Sequence, residues 1–358
     1  MAAPVTQNKD ERVREVSLWK RLLGRPELGA VAGALLIFIF FAVSASGRGF
    51  LSPRGIVTWL EVSAQLGILG IGATLLMIGG EFDLSVGSMI AAAGLVFLYP
   101  VVFMGWPAWL AILVAFGFAC LIGLINGMLV NRTGLPSFIV TLAFLFILRG
   151  LTLGLMRLLT NTTQVSVRSL MGREGVESLN DAQNVIRGDW LGRLFAGEVF
   201  GLPVSVVWWL ALAVVATWIL RKTQFGNWVF AVGGNPEAAR NSGVPVQMVR
   251  TILFMGTVVC ATIFALLQVM DVGSTDTVRG TLKEFEAIIV AVIGGTLLTG
   301  GYGSVVGSVF GALIYGITSQ GIFFAGWNTD WFRAILGGLL LAAVLFNNFL
   351  RKRALEAK

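Results

Sequence analysis

Long apolar segments recur along the whole chain, and short polar stretches separate them. A helix needs about 20 apolar residues to cross a bilayer, and a window of that length finds about ten segments. They lie at 28–46, 56–79, 84–103, 107–130, 135–156, 200–220, 247–269, 284–299, 305–325 and 331–349. The pattern predicts an all-α polytopic membrane protein. Residues 80–84 and 300–304 separate spans that almost meet, and either a tight turn or a broken helix fits there.

The composition supports this class. Of 358 residues, 56% are hydrophobic and 13% are charged, whereas about a quarter of the residues of a soluble domain are charged. The net charge of +7 comes mainly from Lys and Arg at the ends of the predicted spans, as expected for a membrane protein. No basic run interleaved with aromatic residues is present, so nucleic acid is not an expected partner.

The positions of Lys and Arg predict the orientation. Basic clusters precede the first span and follow the last, and an even number of spans returns the chain to its starting side. Both termini are therefore predicted to be cytoplasmic. The predicted organisation is a cytoplasmic tail at 1–27, which can form an interfacial helix on membrane lipid, a single transmembrane domain at 28–350 and a second cytoplasmic tail at 351–358. The domain contains a long segment on the opposite side of the membrane, 157–199, and a cytoplasmic loop, 221–246.

A short capped helix is predicted in the cytoplasmic loop. Asn235 is a good N-cap, Pro236 suits the first helical position, and Glu237 places negative charge at the helix N-terminus. Gly243 and Pro245 indicate where the helix ends. A helix of about two turns is not stable alone in water, so either the membrane surface or another protein must support it.

Two acidic residues, Glu81 and Asp83, lie between the second and third spans. Either Asp83 or Ser85 caps the third span at the membrane surface, where a charge costs little, or the carboxylates lie beside a translocation path or gate. The residues alone favour the cap.

Three further polar residues fall inside predicted spans. Arg149 either marks the end of the fifth span or faces a polar interior. Glu61 and Gln65 lie one turn apart on the same face of the second span. They form either a packed hydrogen-bonded pair or a polar patch on a substrate path.

Enzymatic chemistry is not indicated. The chain contains no histidine, its two cysteines lie far apart inside apolar runs, and no Gly precedes a Lys, so the phosphate-binding loop of ATPases is absent. No cofactor or metal is expected. If ATP drives transport, another subunit must hydrolyse it.

The motifs resemble those of the permease subunits of bacterial ABC importers for simple sugars, the ribose/xylose type. The resemblance covers about 28–350 and rests on three stretches. They are the acidic EFDLSVGS at 81–88, GLPSFIVTL with the following Arg-Gly at 134–150, and the polar loop at 223–243. The chain departs from the family pattern at Asn227, where Arg is more usual, and it lacks the Ile-x-Leu-Pro that follows the general EAA loop.

The resemblance implies an ABC importer permease fold in the bacterial inner membrane, without catalytic residues. Implied partners are a cytoplasmic ATP-binding subunit, a periplasmic sugar-binding protein and a second permease, identical or a paralogue. It implies that the capped helix couples to the ATPase through Gly234, Asn235, Pro236, Glu237, Ala238, Ala239, Arg240 and Gly243. With the polar residues above, the candidate pathway or gate comprises Glu61, Gln65, Glu81, Asp83, Ser85, Phe138, Thr141 and Arg149.

The expected function is thus the membrane subunit of an ATP-driven sugar importer that works by alternating access. The alternative is an ion-coupled secondary sugar transporter. Such a transporter needs carboxylates within the membrane as ion sites, and only Glu61 and the pair Glu81 and Asp83 are available.

Overall fold

A computed structural model describes residues 26–188 and 190–356. Most of the tail 1–27, with its predicted interfacial helix, lies outside the described residues. Thirteen α-helices are described, and they are α1 (Pro26–Ser44), α2 (Pro53–Ile78), α3 (Val86–Met104), α4 (Ala108–Thr133), α5 (Ser137–Thr160), α6 (Leu179–Arg187), α7 (Val204–Lys222), α8 (Gln224–Gly234), α9 (Pro236–Asn241), α10 (Val246–Val272), α11 (Lys283–Ile293), α12 (Val305–Phe324) and α13 (Phe332–Glu356).

In the described part of the chain, four very short strands form two antiparallel pairs. Strand β1 pairs with β4, and β2 pairs with β3. The strands are β1 (Gln164–Ser166), β2 (Glu198–Val199), β3 (Leu202–Pro203) and β4 (Ser274–Asp276). The β1–β4 pair ties the segment that follows α5 to the end of α10.

Within the described part of the chain, eight helices are long and apolar enough to cross a membrane. They are α1 to α5, α7, α10 and α12, which confirms the all-α polytopic prediction. The predicted span 284–299 differs from the structure. Its helix, α11, has 11 residues and is about 16 Å long, whereas the hydrocarbon core of a bilayer is about 30 Å thick.

Helix α11 ends early because of glycine. Gly295 has φ +90°, a left-handed conformation that side chains with a Cβ avoid, and the chain remains non-helical until Val305. We call residues 294–304 the second break. The first break, residues 79–85, connects α2 to α3 and contains Gly80 with φ +84°. Both uncertain segments of the sequence are therefore non-helical.

Small residues allow the helices around the second break to approach closely. A Cβ added at Gly307 or Gly311 would overlap the carbonyl oxygens of Gly294 and Val290, respectively. This row of glycines thus brings the backbones of α11 and α12 together, the packing role that small residues have in membrane helices.

The segment between α5 and α7 is anchored on the end of α10. Arg187, at the end of α6, donates from its guanidinium to the carbonyl oxygens of Met270 and Asp271. A cation at a helix C-terminus is favourable, because the last carbonyls there have no partner within the helix. Helix α6 itself begins with a capping box, in which Ser178 donates to Asp181 and thereby lowers the pKa of the Asp181 carboxyl.

Candidate functional site

The short capped helix predicted in the polar loop is present as α9. The Oδ1 atom of Asn235 accepts hydrogen bonds from the N–H groups of Glu237, at 3.1 Å, and Ala238, at 3.0 Å. Pro236 occupies the first helical position, where no donor is needed. Gly243 has φ +82°, and the N–H of Val244 closes the C-terminal turn on a helix carbonyl. The local prediction is confirmed at both ends.

Helix α9 is attached to the rest of the molecule along one side only. Ala239 is 4% exposed, whereas Glu237, Ala238 and Arg240 are exposed. Asn235 also ends α8, because its N–H donates to the carbonyl of Ala231 at 3.0 Å. A single residue therefore separates α8 from α9, which leaves little freedom for one helix to move without the other.

The end of α8 packs tightly against two other segments. A Cβ added at Gly233 would overlap the carbonyl oxygen of Ile78, the last residue of α2, and would lie 2.6 Å from the nitrogen of Gly301. The N–H of Gly301 donates to that same carbonyl at 2.8 Å. The end of α2, the end of α8 and the second break therefore meet at one point.

Further glycines complete this contact. A Cβ added at Gly300 would lie 2.7 Å from the oxygen of Gly233 and 2.7 Å from the Cα of Gly80. A Cβ added at Gly301 would lie 2.8 Å from the Cα of Gly234. We call Gly80, Gly233, Gly234, Gly300 and Gly301 the glycine junction. It joins both breaks to the helix that precedes α9.

The first break is held by a buried hydrogen-bond network around Asp83, which is 6% exposed. Its Oδ1 accepts from the Oγ of Ser85 at 2.5 Å and from the N–H of Ser85 at 2.9 Å, and its Oδ2 accepts from the Oγ1 of Thr257 at 2.7 Å. Asn126 of α4 donates to the Oγ of Ser85 at 3.1 Å. The carboxylate is therefore buried inside the protein, and Ser85, which occupies the N-cap position of α3, makes no side-chain capping hydrogen bond.

Helices α5 and α10 supply the other partners of the first break. Ser137 accepts from the N–H of Phe82 at 3.0 Å, and Thr141 accepts from the N–H of Leu84 at 3.1 Å. Glu81 forms an ion pair with Arg250, with 2.9 Å between Oε1 and Nε. Backbone groups that have no helical partner are thus satisfied by side chains, as buried non-helical segments require.

Arg149 faces the protein interior and does not mark the end of the fifth predicted span, so the second of the two possibilities left open by the sequence applies. It lies near the middle of α5, and its Nη2 atom is buried without a hydrogen-bond partner among the described residues. Its charge attracts the carboxylate of Glu284 in α11. Glu284 is 3% exposed. Its carboxylate occupies the space that a Cβ atom at position 87 would need, and Gly87 leaves that space open. The two residues place opposite charges on α5 and α11 beside the start of α3.

A second set of polar side chains connects α2 to α10 and to the loop that follows α10. Gln65 donates to Glu61 at 3.2 Å, and Gln268 donates to the Oε1 of Gln65, also at 3.2 Å. Arg279 donates to Gln268 at 3.5 Å and pairs with Asp276 at 3.4 Å. We call Glu61, Gln65, Gln268 and Arg279 the polar row. All four are half-buried.

The structure divides the predicted pathway residues among these features. Glu81, Asp83, Ser85 and Thr141 meet at the first break, while Glu61 and Gln65 belong to the polar row. Phe138 is not in either group and is 53% exposed. Sequence reasoning missed four polar partners of these residues, namely Asn126, Arg250, Thr257 and Gln268. Each is a single residue within an apolar span or at its end, and its polarity was the only sequence signal that could have identified it.

No metal centre is indicated in the described ranges, because no three Asp, Glu or Cys side chains are grouped as metal ligands there. A cavity lined by Glu81, Asp83 and Glu284 has a volume of about 10 Å³, room for about one water molecule. Membrane-length helices, buried non-helical breaks and polar groups between the helices define a polytopic permease rather than a soluble catalyst.

Comparison with known proteins identifies the family. Residues 55–344 match the family described as the branched-chain amino acid transport system permease component, and the chain belongs to this family. Curated relatives include the xylose transport system permease protein of Escherichia coli K12, 31% identical over 90% of this chain and 92% of that protein. The ribose import permease protein of the same organism is 29% identical over 88% of this chain and 92% of its own length.

A third relative is a probable ABC transporter permease protein of E. coli K12, 32% identical over 93% of this chain and 92% of that protein. The resemblance that the motifs indicated is therefore confirmed. The chain is a permease subunit of an ABC transporter, not itself an enzyme, and it is a multi-pass protein of the bacterial cytoplasmic membrane.

Proposed function

We propose that this chain forms the translocation pathway of an ATP-driven sugar importer and that α9 couples it to a cytoplasmic ATPase. The observation that carries the proposal is α9 itself, a capped helix with one buried side chain and four exposed residues that are free to contact a partner. A helix of 6 residues is too short to persist without support, and a partner protein would bury its exposed face.

The proposed coupling path runs from α9 through α8 to the glycine junction. Asn235 is both the C-cap of α8 and the N-cap of α9, so a push on α9 moves the end of α8. Gly233 contacts the end of α2 and the second break through backbone atoms. Backbone atoms cannot move aside on their own, whereas a long side chain can change its rotamer. Movement of α8 would therefore displace both breaks and, through them, α3 and α12. Alternating access follows from such displacement of packed helices.

Sugar is the proposed substrate because two of the relatives are named for xylose and ribose transport. A branched-chain amino acid is the second candidate, and the description of the matching family favours it. The half-buried polar row offers neutral amides, one carboxylate and one guanidinium, which suit a ligand rich in hydroxyl groups.

The proposed assembly contains further partners. A cytoplasmic ATP-binding subunit would hold α9, a periplasmic sugar-binding protein would deliver the substrate, and a second permease, identical or a paralogue, would complete a dimer in membrane lipid. Helix α9 and the polar row lie at opposite ends of α10, since that helix begins at Val246 beside α9 and reaches Gln268 one turn before its end. This arrangement fits ATPase docking on one side of the membrane and delivery on the other.

Replacing Glu237 by alanine is expected to lower ATP-driven uptake about tenfold, the loss that follows if its carboxylate contributes about 1.4 kcal/mol to the contact with the ATPase. The Asn235 cap remains, so α9 should still form. Uptake and ATP hydrolysis are measured in proteoliposomes that contain the permease, its ATPase and its binding protein.

The matched control is Glu177→Ala, which removes an equally exposed carboxylate from the segment between α5 and α7. It should transport at the wild-type rate. If Glu237→Ala behaves like this control in both uptake and co-purification of the ATPase, α9 is not the coupling element.

A further inference from the structure

The polar row has more hydrogen-bonding capacity than its internal bonds use. Each glutamine amide offers two N–H donors and a carbonyl oxygen with two lone pairs. Gln65 uses one N–H toward Glu61 and accepts one bond from Gln268. Gln268 donates once to Gln65 and accepts once from Arg279. The remaining donors and acceptors are available to a ligand.

Further polar groups surround the row. All four side chains are half-buried, so part of each faces open space. Polar and charged groups in a membrane span face a water-filled cavity or another polar surface, because exposure to hydrocarbon is costly. Two more carboxylates, Asp271 and Glu198, lie close enough to Glu61 to repel its charge. The open side of the row is therefore strongly polar.

The order of the groups also matters. Glu61 at one end only accepts hydrogen bonds when ionised, the two glutamines accept and donate, and Arg279 at the other end only donates. A sugar hydroxyl both donates and accepts, so hydroxyls spaced along a ring can pair with successive members of such a row. A branched-chain amino acid would leave its apolar side chain against these groups.

We infer that the polar row, Glu61, Gln65, Gln268 and Arg279, is a sugar-binding subsite of the translocation pathway. The inference rests on the proposed function, since it deepens the assignment of a sugar as substrate. It also explains why α2 and α10, which pack together over an apolar core, carry Glu61, Gln65 and Gln268 at one end of their interface. Binding there is weak, because each hydrogen bond to the ligand replaces one to water and contributes little net free energy.

The test combines direct binding with transport. Saturation-transfer NMR on the purified full-length permease, with D-xylose and D-ribose as probes, detects weak binding without any ATPase. The double variant Gln65→Ala with Gln268→Ala should lose the signal, and Gln183→Ala, a half-buried glutamine of α6 outside the row, should retain it. In proteoliposomes with ATPase and binding protein, the double variant should take up sugar roughly 3- to 10-fold more slowly, the loss expected for hydrogen bonds of about 1 kcal/mol.

Two further readouts separate this role from a structural one. ATP hydrolysis stimulated by the sugar-loaded binding protein should persist in the double variant, and its oligomeric size in detergent should match that of the wild type. The subsite is refuted if the NMR signal is unchanged in the double variant, or if the double variant dissociates a permease dimer, which would make the row a contact between copies. A wild-type chain that binds sugar by NMR but lacks ATP-driven uptake refutes the proposed function and leaves the subsite supported.

Discussion

Gly233→Ala is expected to abolish ATP-driven uptake and to destabilise the permease by about 3 kcal/mol or more. The added methyl group would overlap the backbone carbonyl of Ile78 and approach the backbone nitrogen of Gly301. Overpacking usually costs about 1–3 kcal/mol when side chains can shift, and here the obstructing atoms are backbone. Relief requires separation of α8 from α2, which also breaks the hydrogen bond from Gly301 to Ile78.

The neighbouring glycine provides the matched control for this substitution. A Cβ added at Gly234 meets no atom within 4 Å, so Gly234→Ala adds the same methyl group without overlap. Thermal unfolding in detergent measures the difference. The melting temperature of Gly234→Ala should be close to that of the wild type, and that of Gly233→Ala should be several degrees lower. Equal melting temperatures for the two variants would mean that the glycine junction does not have the close packing described above.

Asp83→Ala is the second substitution with a large expected effect, a loss of about 2–5 kcal/mol. It removes the acceptor of the Ser85 N–H and of the Ser85 hydroxyl in a buried site, and it leaves the Thr257 hydroxyl with the carbonyl of Phe254 as its acceptor. Each buried polar group left without a partner costs about 1–3 kcal/mol. The first break would then lose its hydrogen bond to Thr257 of α10, and the ion pair between Glu81 and Arg250 would remain.

Asp83→Asn is expected to restore most of that stability. Its carbonyl oxygen can accept from Ser85, and its amide can donate to the Thr257 hydroxyl, which already donates to the carbonyl of Phe254 at 2.8 Å. Thermal unfolding of both variants in detergent measures the difference. If asparagine destabilises as strongly as alanine, the negative charge itself is required, and the carboxylate has the ionic role that a secondary transporter would need.

The sequence was sufficient for features that depend on local chemistry. Asn235, Pro236 and Glu237 each suit one position of a helix N-terminus, and the structure has α9 where they predict it. The class of membrane protein could also be predicted directly, because segments of about 20 apolar residues are typical of membrane-spanning helices. The sequence also indicated the positions of the two breaks but not their structure, since glycine pairs are compatible with both a tight turn and a broken helix.

Contacts between distant segments could not be predicted. Asp83 and Thr257 are 174 residues apart, and Gln65 and Gln268 are 203 residues apart, so no spacing rule connects them. The length of the eighth predicted span was overestimated for a related reason. Residues 294–299 are apolar enough to continue a helix, but packing of Gly294 against the backbone of Ser308 and the left-handed Gly295 end it at Ile293.

ATP-driven uptake in proteoliposomes tests the central claim most directly. The permease is reconstituted alone and together with its ATPase and binding protein, and uptake of radiolabelled xylose, ribose and leucine is measured with ATP or with a proton or sodium gradient. We predict sugar uptake only with ATP and the complete assembly, and no uptake of leucine. Sugar uptake by the permease alone, driven by an ion gradient, would contradict the account.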